Sequence, residues 1–412
     1  MSRTDILKSA SQSAETPAAT VERTLRSPLA GLPVSARTRS LIEWLVVVVA
    51  VYVLITAVSG IGSGFKMAVG EQAGELFQFA ANPFVGLVIG ILATVLTQSS
   101  STTTAITVGM VAGGLPIEIA IPILLGANIG TTVTSTLVSL GMARDKDVFR
   151  RAFGAASVHD MYNLLSVLIF LPLELMFGIL QHTSDWLAAQ TGGSDGGPVA
   201  AVFAAIGAGV TAFTEPGVNA LQWAVSPLPD VWAGVVLILL GVVLILAVIN
   251  LIGKLLKVLL VGRAEKVFHT AIGRGPMSGI LSGTLITVMV QSSSTTTSLA
   301  VPLVGSGKFS VKQIFPFTVG ANIGTTLTAL IAAFAFTGVE GQAALQAAFV
   351  HVLYNLFCAM VIFGIPFLRP IPVAAALWLA RIGAENKLFV VAWVLGVFLV
   401  VPGLLLLATV LL

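Results

Sequence analysis

Gln98-Ser99-Ser100-Ser101-Thr102-Thr103-Thr104 is written a second time, without change, as Gln291-Ser292-Ser293-Ser294-Thr295-Thr296-Thr297. Each copy stands inside long apolar sequence. In hydrocarbon a cluster of hydroxyls is unfavourable unless it faces a cavity, an ion or other protein, so the phrase reads as a site inside a membrane-embedded fold.

The composition supports that setting. The chain has 412 residues, of which 56% are apolar and only 9% charged, outside the range of ordinary soluble domains. Runs near 41–58, 117–140, 152–178, 231–260, 313–337, 344–368 and 388–412 approach or exceed the roughly 20 residues that a spanning helix needs. A net charge of +3 comes from loop Lys and Arg, which orient membrane proteins and imply no nucleic-acid partner. Cys358, the single cysteine, excludes an intramolecular disulfide. Residues 1–40 are polar and Ser/Thr/Pro-containing, with Arg3, Lys8, Arg23, Arg26, Arg37 and Arg39, and read as a flexible cytoplasmic tail rather than a cleavable signal.

Outward from the phrase, two halves of the chain align. Gly86, Gly90, Thr94 and Gln98 recur as Gly279, Gly283, Thr287 and Gln291 at an offset of 193. Gly126-Ala127-Asn128-Ile129-Gly130-Thr131-Thr132 recurs as Gly320-Ala321-Asn322-Ile323-Gly324-Thr325-Thr326, and His159, Tyr162 and Asn163 recur as His351, Tyr354 and Asn355. Residues 41–178 and 231–368 are therefore duplicated transmembrane units. Between them, 179–230 forms a linker, expected outside the cytoplasm, with Val199–Phe213 as a short buried or interfacial helix. Residues 369–412 end in a last span with no clear partner in the first unit.

Loop charges relate the units. Arg144, Lys146, Arg150 and Arg151 follow the second span of the first unit, whereas the equivalent 335–344 has no basic residue. Ahead of the phrase the bias is reversed: 262–275 carries Arg263, Lys266 and Arg274, and 69–82 carries only Glu71 and Glu75. Because Lys and Arg gather on the cytoplasmic side, the units are inverted. About a dozen residues lead to each phrase and about a dozen lead away, too few to span comfortably, so each phrase is expected at the tip of a re-entrant helical hairpin. The fold class is an all-α polytopic membrane protein built from inverted-topology repeats.

The chemistry of the tips follows from their residue types. A Ser at the break caps the next helix, whose first N–H groups and positive dipole end favour an anion. Exposed carbonyls with Ser, Thr, Asn and Gln oxygens suit a hard cation such as sodium. Asn128 and Asn322 are hard to explain by packing alone, although the glycines beside them suit close helix contact. Asp160, whose counterpart is Val352, is an acidic residue deep in an apolar run and is a functional candidate, unless it pairs with His159, Arg150 or Arg151. His159 and His351 read as satisfied buried histidines, and no transition-metal set is spaced to bind. Gly305-Ser306-Gly307-Lys308 lacks the remaining P-loop residues and reads as a turn. No nucleophile-elbow context supports an enzyme.

Together the two QSSS phrases, each followed by GANIGT, and Val158-His159-Asp160 with Tyr162-Asn163 resemble the type II sodium-dependent phosphate cotransporter family over roughly 84–178 and 276–368. That resemblance implies a plasma or inner membrane symporter that imports inorganic phosphate with sodium as co-substrate, by alternating access and with no cofactor. It implies phosphate at Gln98, Ser99, Ser100, Ser101, Gln291, Ser292, Ser293 and Ser294. Sodium is expected at Gln98, Thr102, Asn128, Asp160, Asn163, Gln291, Thr295, Asn322 and Asn355. Asp160 with Ala156 is similar to the electrogenic members, although Gly154 replaces their alanine. The linker lacks the cysteines of animal members, and no PhoU-like domain follows. The rival expectations are a sodium symporter for another oxyanion and a passive anion channel.

Overall fold

The computed structural model describes residues 27–69, 82–192, 197–272 and 274–411. The tail 1–26, the stretch bearing Glu71 and Glu75, and the side chains of Arg263 and Lys266 lie outside the described residues. The described chain is helical throughout, and eight of its helices are long and apolar enough to cross a membrane. This is an all-α, multi-pass membrane protein.

The first unit opens with α1 (Ala36–Val69), then the short pair α2 (Pro83–Thr97) and α3 (Ser100–Ala112). A span broken at Thr131–Thr132 follows, α4 (Ile117–Gly130) and α5 (Val133–Leu140), and then the long α6 (Lys146–Phe177). The second unit repeats the order: α9 (Asp230–Ala271), the pair α10 (Pro276–Val290) and α11 (Ser293–Gly305), α12 (Val311–Ala333) and α13 (Gly338–Gly364). Between the units lie α7 (Ile179–Gly192) and α8 (Gly197–Val225); after the second come α14 (Pro370–Glu385), α15 (Lys387–Leu395), a π turn at Gly396–Val400 and α16 (Val401–Leu411).

Glycines let α1 and α9, the first helices of the two units, touch backbone to backbone. A Cβ on Gly64 would lie 2.7 Å from the Gly234 carbonyl, and one on Gly241 2.9 Å from that of Ala57. Gly64 meets the start of α9 while Ala57 meets a later turn, so the two helices run antiparallel. Equivalent helices pointing in opposite directions make the units inverted, as the loop charges require. The face where α1 begins is called the N-face below, and the opposite one the far face.

Other contacts extend this frame. Lys66, near the end of α1, pairs with Glu340 at the start of α13 on the far face. Arg151 Nε donates to the Gly305 carbonyl at 2.9 Å, so the start of α6 and the open end of the α10–α11 pair share the N-face. The open end of α2–α3 lies at the far face, where a Cβ on Gly113 would meet the Gly62 carbonyl at 2.5 Å. At about 1.5 Å per residue these four short helices are about 20 Å long, against about 30 Å of hydrocarbon. Each of them is therefore shorter than a spanning helix.

Three expectations change in detail. The helix expected over Val199–Phe213 runs to Val225, continuing through Pro216. It leans on α1, with Phe213 edge-on to Tyr52 and Gly217 beside Thr56. Residues 27–35, expected within a tail, form turns that Ser27 ties to α1 by donating to Glu43, and α1 itself starts at Ala36. The last span, expected over 388–412, is divided: α15 and α16 are joined by the π turn at Gly396–Val400.

Candidate binding site

Gln98 and Gln291 are the only non-glycine described residues in the left-handed region, both at φ 54°. That conformation carries a steric penalty for a residue with a Cβ, so its occurrence at both equivalent positions marks a constrained turn. Each Gln closes the preceding helix. Gln291 Nε2 donates back to the Val288 carbonyl at 2.7 Å, and Gln98 Nε2 does the same to Val95. Their Oε1 atoms accept from Thr134 at 2.9 Å and Thr328 at 3.2 Å, on the neighbouring span of the same unit.

After each break the next residue caps the returning helix. Ser99 Oγ accepts from Thr102 N and Ser292 Oγ from Thr295 N, both at 3.2 Å. Thr94 donates to Thr103 at 2.9 Å and Thr287 to Thr296 at 3.0 Å, pinning the two arms of each hairpin together. The first and fifth hydroxyls of the phrase thus build the hairpin. Ser100, Ser101, Ser293 and Ser294 take no part in that scaffold through their hydroxyls and stand at the first turns of α3 and α11.

Both tips line one cavity of about 610 Å³. Its wall holds Gln98, Ser99, Ser100 and Ser101 from one unit and Gln291, Ser292, Ser293, Ser294 and Thr295 from the other. All eight residues expected to hold the anion are therefore brought together. Two helix N-termini converge on the same space, an arrangement that favours negative charge. The cavity also takes Asn250, Lys254 and Lys257 from α9 and Pro28 from the segment before α1. The two lysines escaped the sequence reading. Their only signal was the spacing of four and seven from Asn250, which sets all three on one helical face within an apolar run.

The remaining expected residues sit behind that wall. Thr102 is fully buried and donates to Ser99 Oγ at 2.9 Å. Asn128, Asn163, Asn322 and Asn355 form two matching networks that cross between units. Asn322 Nδ2 donates to Asn163 Oδ1 at 2.7 Å, and its own Oδ1 lies 2.6 Å from His159 Nε2. In the mirror arrangement Asn128 Nδ2 donates to Asn355 Oδ1 at 2.9 Å and its Oδ1 lies 3.2 Å from His351 Nε2. Because each Asn presents an oxygen to the ring, each histidine carries its proton on Nε2. Every GANIG asparagine is thereby bonded to the His and Asn of the opposite unit, a pairing no single unit contains.

Asp160 differs from all of these. It is buried with no charged partner among the described residues; the Thr132 hydroxyl and the Trp393 ring N–H approach its carboxylate without closing a hydrogen bond of ordinary geometry. The three alternatives for pairing fail: His159 Nε2 faces Asn322, Arg150 pairs with Asp147 at 3.1 Å, and Arg151 bonds Gly305. Among the described residues no cluster of His, Cys, Asp and Glu could hold a metal ion.

A profile of the family described as Na+/Pi-cotransporter matches residues 53–188 and 244–368, the two units and the site they enclose. The chain belongs to the Na+/Pi-cotransporter family. Sodium-dependent phosphate transport protein 2A of Rattus norvegicus is 33% identical over 86% of this chain and 65% of its own length. The 2B proteins of Bos taurus and Homo sapiens are 31% and 30% identical, over 87% and 85% of this chain. The chain therefore spans just under two thirds of the length of these relatives. No solved structure matches it. The matched segments overlap the two units, and the unmatched 189–243 takes in the end of α7, α8 and the start of α9.

Proposed function

We propose that the chain is a sodium-coupled symporter that carries inorganic phosphate across the plasma or inner membrane by alternating access. The observation that carries this reading is the meeting of two identical hydroxyl phrases, from inverted units, on one cavity. The relatives named as sodium-dependent phosphate transport proteins supply the substrate and the coupling ion. Phosphate is held by Ser100, Ser101, Ser293, Ser294 and the helix N-termini, with Gln98, Gln291, Ser99 and Ser292 shaping the tips. Sodium is held by side-chain and carbonyl oxygens about Thr102, Thr295 and the four asparagines, and by Asp160. Lys254, Lys257 and Pro28 bound the cavity toward the N-face, which the basic loops make cytoplasmic; an inward-open stage of the cycle fits that arrangement.

Uptake of radiolabelled phosphate into proteoliposomes tests the coupling. Accumulation is expected with an inward sodium gradient and not with an equal potassium gradient. Equal uptake in the two would leave a passive anion pathway, and accumulation of sulfate in place of phosphate would assign another oxyanion.

The two lysines give a second measurement. Fixed positive charge at a cavity mouth raises the local anion concentration and the rate of entry, by tenfold or more at low ionic strength. The double variant Lys254→Gln, Lys257→Gln is expected to slow phosphate entry from the cytoplasmic face by about tenfold in low salt, with the difference shrinking as salt screens the field. A rate unchanged at both ionic strengths would remove the lysines from the pathway.

A further inference from the structure

A groove of about 460 Å³ lies apart from the hydroxyl cavity, where α12 and α14 begin. Its lining includes Lys312 and Arg369 above an apolar floor of Phe315, Val373 and Leu377. Neither cation has a carboxylate partner among the described residues. Arg369 lies 5.5 Å over the ring of Phe363, which leaves the edge of its guanidinium free to donate.

The position of α14 says what this corner faces. It runs along the N-face without crossing: Leu377 and Ala380 lie beside Gly154, Glu385 pairs with Lys146 at 2.6 Å, and Lys387 reaches the Ala143 carbonyl. Phe367, Ile371 and Trp378 point outward from it, with exposures of 71%, 41% and 58%. Large aromatic residues beside exposed cations are the pattern of a membrane–water boundary. A groove with two unpaired cations at its head and hydrocarbon-compatible walls, opening at that boundary, is complementary to a lipid of negative charge.

We propose that this groove binds an anionic phospholipid, its phosphate between Lys312 and Arg369 and an acyl chain along Phe315, Val373 and Leu377. A free oxyanion would leave the apolar floor unused, and a zwitterionic lipid would bring its own ammonium against two cations. The site is independent of the transported substrate.

Native mass spectrometry of the full chain with dioleoylphosphatidylglycerol or dioleoylphosphatidylcholine tests it. Each basic group near the membrane surface is worth about fivefold in affinity for an anionic headgroup, so retention of phosphatidylglycerol is expected to exceed that of phosphatidylcholine by about twenty-five-fold. Lys312→Gln with Arg369→Gln should abolish the preference, while Lys308→Gln with Arg150→Gln, the same loss of two charges outside the groove, should keep it. Leu377→Trp, which fills the floor and leaves both charges, should also lower retention, and it serves where the double variant fails to fold. Equal retention of the two lipids, or a preference that survives both the double variant and Leu377→Trp, overturns the proposal. Competition by inorganic phosphate in excess would likewise overturn it, in favour of a free-anion site.

Discussion

Alanine at Gly126 or at Gly320 is expected to remove most of the folded protein. A Cβ at Gly126 would lie 2.1 Å from the Leu87 carbonyl oxygen and 3.0 Å from Ile91 N, and one at Gly320 would lie 2.0 Å from the Ile280 carbonyl. The partner positions answer them: a Cβ on Gly90 would meet Ile123 O, and one on Gly283 would meet Phe317 O, each at 2.0 Å. Every obstructing atom is backbone, so no rotamer can yield and the two helices must move apart. That separation would take α2 from α4 and α10 from α12 at their contact along the whole crossing, where dispersion and not the hydrophobic effect holds membrane helices together. Overpacking of this kind costs about 3 kcal/mol or more. Gly209 is the control, since it lies on an exposed part of α8 with nothing within 4 Å of a Cβ. Alanine there is expected to be neutral or to stabilise by about 0.5 kcal/mol through lost backbone freedom. Thermal unfolding followed by size-exclusion in detergent compares the three; a midpoint for Gly126→Ala equal to that of Gly209→Ala would defeat the close-contact account.

The same glycines show what a single chain discloses and what it withholds. Their recurrence at a fixed offset, with the hydroxyl phrase and the charged loops, was enough to read two inverted units, because these are local patterns repeated along one dimension. The left-handed Gln98 and Gln291 were not legible. Nothing in Gln itself favours φ 54°, and the turn is enforced by Thr134 and Thr328 and by the arms pinned at Thr94 and Thr103. The cross-unit bonds of Asn322 to His159 and Asn163 were hidden for a different reason. They join positions 163 and 159 apart in the chain, and only the packing of one unit on the other defines them. Lys254 and Lys257 drew no reading from the sequence, since which side of α9 faces the cavity is set by how the units pack.

Asp160→Asn is expected to leave the protein at least as stable as the parent while changing the electrical character of transport. The carboxylate is buried with only the neutral Thr132 hydroxyl and Trp393 N–H near it and no charged partner among the described residues, and an ionised group in that position costs several kcal/mol unless something neutralises it. The fold does not need it, because the inverted counterpart is Val352 in the same helical setting. An unstable group retained where an apolar one suffices fits a role in the transport cycle, and a sodium ion is the neutralising partner that the proposed coupling provides. Each elementary charge moved through the potential is worth about 2.3 kcal/mol per 100 mV, which is about fiftyfold in accumulation. If Asp160 carries one sodium inward per cycle, its amide removes that factor. Proteoliposomes clamped with valinomycin and potassium gradients measure it: phosphate accumulation should rise steeply with inside-negative potential in the parent and by about fiftyfold less per 100 mV in Asp160→Asn. A variant that unfolds at lower temperature and keeps the parent's voltage response would make Asp160 a structural residue. One that is as stable as the parent and indifferent to voltage would assign the extra charge to the first unit alone, and would explain why the two otherwise matching halves differ at this position.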